Sequence, residues 1–147
     1  MMVQFLLVML GLFHSVPNET PQELDLSQYR WENRIIVLIA EDVQNPILRK
    51  QVQALKNLPA GLKERDLVLF VISKTESTGP KGKLEGIDFT AVYQQFKCKD
   101  APFHFRLIGK DGGTKLKRTL FVEPEEIFAI IDAMPMRRAE IRQQKQD

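Results

Sequence analysis

The sequence predicts an α/β fold, a central four-stranded mixed sheet flanked by helices in the order β-α-β-α-β-β-α. Three observations predict it. Two β-branched runs, RIIVLIA at 34–40 and DLVLFVIS at 66–73, are separated by one helical pattern. Runs that are apolar on both faces fit central parallel strands, and a helix between two such strands makes a right-handed βαβ unit. The third is residues 101–121, APFHFRLIGKDGGTKLKRTLF, which read as a hairpin: an apolar strand, a KDGG turn and a second strand, the turn and second strand together carrying four cations.

The chain has 147 residues, 44% of them hydrophobic and 27% charged, which suits one globular domain with its own core. A net charge of +2 gives no global field to steer it toward nucleic acid, and that partner class is set aside. The charge is uneven, however. Six carboxylates face two arginines between Glu19 and Asp42, and seven cations face two aspartates between Lys97 and Arg118.

Residues 1–15 are read as a signal peptide, because 5–13 are almost wholly apolar and polar, proline-containing sequence follows. The run is too short to span a bilayer as a helix. It lacks a preceding Lys or Arg and a following A-x-A site, and a buried first element of the domain is the competing reading. No Cys ends the run, which argues against a lipoprotein anchor. The expectation is an exported protein, periplasmic or extracellular, with no integral membrane span in the mature chain. A polar connector then occupies 16–27, a domain 28–136 and a charged tail 137–147, with continuation of the tail as helix left open.

Within the domain, Asn45-Pro46 after the first strand is a helix start, Asn capping free amides and Pro losing no hydrogen bond at the first position. Leu48, Val52 and Leu55 follow at helical spacing, and Pro59 and Gly61 are expected to stop the helix. After the second strand, 74–86 is rich in Ser, Thr, Gly and Pro and is expected to be an irregular loop. Asp88 caps a short helix whose Phe89, Val92, Tyr93 and Phe96 form one apolar face. In the hairpin, Phe103, Phe105 and Leu107 point one way and His104 and Arg106 the other. Positive-φ residues for its turn come from Asp111-Gly112 or Gly112-Gly113. Pro124 opens the last helix, with Glu125 and Glu126 suited to its first turn and Ile127, Ile130, Ile131 and Met134 among its buried stripe. Pro135 is expected to end or kink it.

This element order is that of the thioredoxin fold. Three segments, YRWENRIIVLIA at 29–40, LIGKDGGTKLKR at 107–118 and IDAMPMRRAE at 131–140, together resemble the prokaryotic members of the DUDES family. The resemblance spans roughly Leu24 to Arg142 and is most specific in the GKDGG segment. It implies a thioredoxin- or peroxiredoxin-like fold and an extracytoplasmic location, and it implies no established reaction.

Thioredoxin-type chemistry needs a thiolate at the amino end of the first helix, where free amides and the helix dipole lower its pKa. That junction here reads Ala40-Glu41-Asp42-Val43-Gln44-Asn45-Pro46, with Val43 and Pro46 where a C-x-x-C pair would sit. Disulfide exchange and peroxidatic chemistry by the usual routes are therefore excluded, and the expectation leans away from an enzyme. Cys98, the one cysteine, rules out an internal disulfide. It reads either as a small apolar residue filling a gap or as a thiol favoured by Lys97 and Lys99. The second reading keeps open an oxidoreductase-related role in oxidative-stress defence.

Pro102 precedes the third strand where thioredoxin-like proteins carry a cis-proline, and cis is expected by that analogy. Glu41, Asp42, Val43 and Pro102 are the groove candidates, with Ser73 and Lys74 at the neighbouring strand end. Lys110, Lys115, Lys117 and Arg118, joined by Arg106, read as a strip for a polyanionic ligand or as an edge-strand guard against aggregation. His104 reads as a sheet residue packed under a helix or half exposed. Cys98 and His104 alone make no metal site, GKDGG lacks the phosphate-loop spacing, and no metal or other cofactor is expected. An unknown protein or a polyanion is the expected partner.

Overall fold

A computed structural model describes residues 20–146. The predicted signal peptide at 1–15 lies outside the described residues. A 3-10 turn at Ser27–Tyr29 leads into β1 (Arg34–Ala40), followed by α1 (Pro46–Lys56), α2 (Pro59–Glu64) and β2 (Leu67–Ile72). Then come β3 (Ser77–Gly79), β4 (Gly82–Lys83), α3 (Phe89–Gln95), β5 (Phe103–Ile108), β6 (Thr114–Arg118), α4 (Pro124–Asp132) and α5 (Pro135–Gln144).

The six strands form one sheet in the order β4-β3-β2-β1-β5-β6. β1 and β2 are parallel, and every other pairing is antiparallel. All seven residues of β1 are buried, as a central strand's continuous apolar run requires. Its alternate side chains feed two cores. Ile36, Leu38 and Ala40 join Phe103, Phe105, Leu107, Leu48, Leu55, Ile127 and Ile131 on the α1–α4 face. Ile35, Val37 and Ile39 join Phe70, Ile72, Val92 and Leu24 on the α3 face.

Asn45 caps α1 as expected, its side chain accepting the Ile47 and Leu48 amides at 2.9 and 3.0 Å. A cap of this kind contributes about 1 kcal/mol. Asp88 does the same for α3 through the Ala91 amide at 2.7 Å.

Three local expectations are corrected. The sheet has six strands, because residues in the expected loop at 74–86 pair as a small hairpin on the edge of β2, with Pro80 and Lys81 as its tip. Ser73 anchors that excursion, its hydroxyl donating to Glu76 O at 2.6 Å and accepting the Glu76 amide at 3.0 Å. Pro59 opens α2 at its first position, where a missing N–H is harmless. Gly61 serves that helix by letting Phe128 approach, since a Cβ there would lie 2.8 Å from the ring. The Ala101–Pro102 bond is trans.

The last turns of the chain carry buried charge. Residues 135–144 are helical, and Arg137 on α5 is 1% exposed. Glu140 of α5 accepts from Arg34 Nη1 and Nη2 at 3.2 and 3.1 Å and from Lys110 Nζ at 2.8 Å. Arg137 donates to Glu64 at 2.7 Å and to Asp132 at 3.3 Å, and Arg65 grips Asp132 with two bonds at 3.0 and 2.7 Å. α5 is thereby tied to the entry of β1, to the hairpin turn and to α2.

Candidate functional site

The carboxyl end of β1 and the beginning of β5 enclose a hollow of about 510 Å3 lined by Glu41, Asp42, Asn45, Tyr93, Asp100, Ala101 and Pro102. Asn45 positions it: while its oxygen caps α1, its Nδ2 donates to Pro102 O at 3.2 Å and so couples helix start to strand start. Asp42 makes a tight turn by accepting the Gln44 amide at 2.8 Å. Glu41 pairs with Lys74 at 3.1 Å, both side chains being well exposed. The Tyr93 hydroxyl donates to Lys99 O at 2.6 Å. Burial, with the nearby Cys98, Asp100 and Glu41, pushes the Tyr93 pKa up. Three carboxylates around a neutral phenol make the hollow acidic. Val43, by contrast, lies apart from it, in a smaller groove of about 380 Å3 with Leu48, Val52 and Val71 beside α1. The predicted groove therefore divides, Glu41, Asp42 and Pro102 on one side and Val43 on the other.

Cys98 follows the carboxyl end of α3. The Cys98 amide bonds Tyr93 O and the Lys97 amide bonds Gln94 O, each at 2.9 Å, with Lys97 left-handed at φ 49°. This is a Schellman ending in which Lys takes the position that glycine usually fills. The thiol sits 3.7 Å from Arg106 Nη2. Burial raises its pKa and the Arg106 charge opposes that only in part, so the neutral thiol is favoured at neutral pH. A helix's carboxyl end also lacks the free amides that activate a thiolate.

Arg106, grouped by sequence with the basic strip, is buried beneath α3, donating to Phe96 O and Phe105 O. Lys110 is likewise buried, held by Asp66 and Glu140 at 2.8 Å each. Lys115 pairs with Asp111 at 2.8 Å and Arg118 with Glu126 at 3.5 Å. Of the four strip residues, Lys117 alone has no ion-pair partner among the described residues. His104 is 2% exposed and packs edge-on to Tyr93 at 5.3 Å. Among the described residues no three His, Cys, Asp or Glu side chains are grouped to hold a metal ion. No described helix is long and apolar enough to cross a membrane.

The profile of a domain of unknown function, DUF4174, matches residues 25–140. The chain belongs to this family. No curated protein is significantly similar to it. The DUF4174 fold is similar to that of the reduced 2-Cys peroxiredoxin of Plasmodium vivax, with a TM-score of 0.54 and 14% identity over 84% of this chain and 86% of that one. At that identity the likeness establishes a thioredoxin-like fold and nothing about activity. The DUF4174 domain departs from thiol enzymes where their chemistry sits: Asp42 to Pro46, with no sulfur, form its α1 junction.

Two buried or half-buried glutamines missed by sequence reasoning tie distant segments to the helices. Gln51, fully buried on α1, bonds both backbone groups of Val122 at 2.9 and 2.8 Å, imitating a strand pairing. Gln95 does the same for Leu24 at 3.0 and 2.9 Å, fastening the amino-terminal segment to α3. A polar residue on the apolar stripe of a predicted helix was the available signal in each case.

Proposed function

We propose that this chain is an exported binding or interaction domain that uses the thioredoxin-like scaffold without redox chemistry of its own. The acidic hollow around Glu41, Asp42 and Pro102 is its contact surface, suited to a basic segment of a protein partner. The observation that carries the reading is the start of α1, where an Asn45 oxygen takes the two amides that would otherwise stabilise a thiolate. Export rests on the apolar run at 5–13. The narrower kinship with DUDES proteins rests on the segments at 29–40, 107–118 and 131–140. The ion pairing of Lys115 and Arg118 and the burial of Lys110 leave the polyanion alternative with little free charge.

Peroxide consumption and insulin-disulfide reduction test the central claim. Both are expected to stay at protein-free levels, in wild type and in Cys98→Ala alike. Turnover that disappears in Cys98→Ala overturns it and installs the oxidoreductase alternative. Export is tested by the mass of the mature amino terminus in the extracytoplasmic fraction, where an intact residue 1 in a cytosolic protein sinks it.

A further inference from the structure

A second cleft, of about 700 Å3, lies at the other end of the sheet, by the entry of β1 and the exit of β5. Ile35, Phe96 and Ile108 give it apolar walls. Three cations from three separate elements line it as well: Arg30 ahead of β1, Lys97 after α3 and Lys117 on β6. None of the three is ion-paired among the described residues, although their neighbours Lys110, Lys115 and Arg118 all are.

Local structure sets the positions of Arg30 and Lys97. Arg30 stacks on Trp31 at 5.3 Å. Trp31 itself is left-handed at φ 70°, a conformation a bulky residue seldom adopts, and its amide donates to Lys110 O at 2.7 Å. Lys97 is also left-handed, so its side chain leaves α3 in a direction that the helix itself would not give. Glu23 and Asp25 line the same cleft, and Asp25 already accepts the Ser27 amide at 2.9 Å. Two carboxylates in the wall repel a ligand of many negative charges and tolerate one whose single charge reaches the cations.

We propose that this cleft binds a small organic monoanion with an apolar body. The acid group would sit among Arg30, Lys97 and Lys117, and the body against Ile35, Phe96 and Ile108. The volume is in the range of small-molecule sites, roughly 300–1,000 Å3. A monoanion here is also independent of the acidic hollow, whose ligand carries the opposite charge.

Trp31 is the sole tryptophan and lies beside the site, so its emission reports occupancy. The experiment titrates the full chain with octanoate, with octylammonium as the matched cation and inorganic phosphate as the bare anion. Octanoate is expected to change Trp31 emission saturably at one equivalent, while the other two have no effect at the same concentrations. Arg30→Gln with Lys117→Gln, both at exposed positions, is expected to weaken octanoate binding at least tenfold with near-UV circular dichroism retained. Arg49→Gln with Lys50→Gln, on α1, is expected to leave it unchanged. Any of three results overturns the proposal: no saturable octanoate response to millimolar concentration, phosphate acting as strongly as octanoate, or undiminished binding by the Arg30/Lys117 variant.

Discussion

Glu140→Gln removes one negative charge from among three cations while preserving side-chain shape. Arg34 loses most. Its Nη1 and Nη2 both bond Glu140, its remaining hydrogen bond is to the Arg65 carbonyl at 3.0 Å, and it is 1% exposed. Lys110 keeps half-exposed Asp66, and Arg137 keeps Asp132 and Glu64. Breaking a buried pair from one side costs about 3–5 kcal/mol, because the surviving charge stays desolvated. Glu140 is 22% exposed, so water reaches the pair, and the lower end of about 3 kcal/mol is expected. For a chain of this size that lowers Tm by about 6–12 °C. Urea unfolding with an unchanged m-value is the assay. The double variant Arg34→Met with Glu140→Gln should recover part of the loss, since it removes the stranded charge. Acidification offers a second readout. Burial works against the Glu140 carboxylate, but hydrogen bonds from Lys110 and Arg34 outweigh it and hold its pKa below the ordinary 4.5. The stability this gives is present above 4.5 and is lost as pH falls through the lowered value. The glutamine variant has no such loss, so the two proteins should converge in stability in acid. A cost under about 1 kcal/mol, the worth of an exposed pair, refutes the claim that Glu140 is the keystone of these buried charges.

Two further outcomes follow from buried polar groups. Gln51→Leu leaves the Val122 N–H and carbonyl without their partners and is expected to cost about 2 kcal/mol, read by urea unfolding; a neutral result would mean that α1 does not fasten the segment leading to α4. His104→Phe tests the imidazole beneath Tyr93, whose pKa is pushed below 6.5 by burial first and then by the Arg106 charge. Such a histidine contributes stability above pH 6.5 that is lost as pH falls and the ring must charge. The variant's stability should therefore change less than wild type's between pH 7.5 and 5, and equal losses in the two proteins would count against the reading.

The parts of the fold that were legible are those written in adjacent residues. β1 and β2 announce themselves as apolar runs, Asn45-Pro46 and Asp88 carry their own caps, and the alternation Phe103, Phe105, Leu107 decides which face of β5 meets α4. The hairpin at 77–83 was lost because its composition is that of a loop, although its pairing partner, β2, is the strand just before it. The charges were lost for a different reason, separation along the chain. Arg34 and Glu140 are 106 residues apart, and nothing near either distinguishes a cation that will be buried from one that will face water. Lys110 illustrates the consequence: it was grouped with Lys115, Lys117 and Arg118 by proximity in sequence, yet it points into the molecule to meet α5. The site divides along the same line. The absence of a thiol at α1 is a local fact and was readable in Glu41 to Pro46. The cleft between Arg30, Lys97 and Lys117 draws on three segments that only the sheet brings together, and it is visible only once the chain has folded.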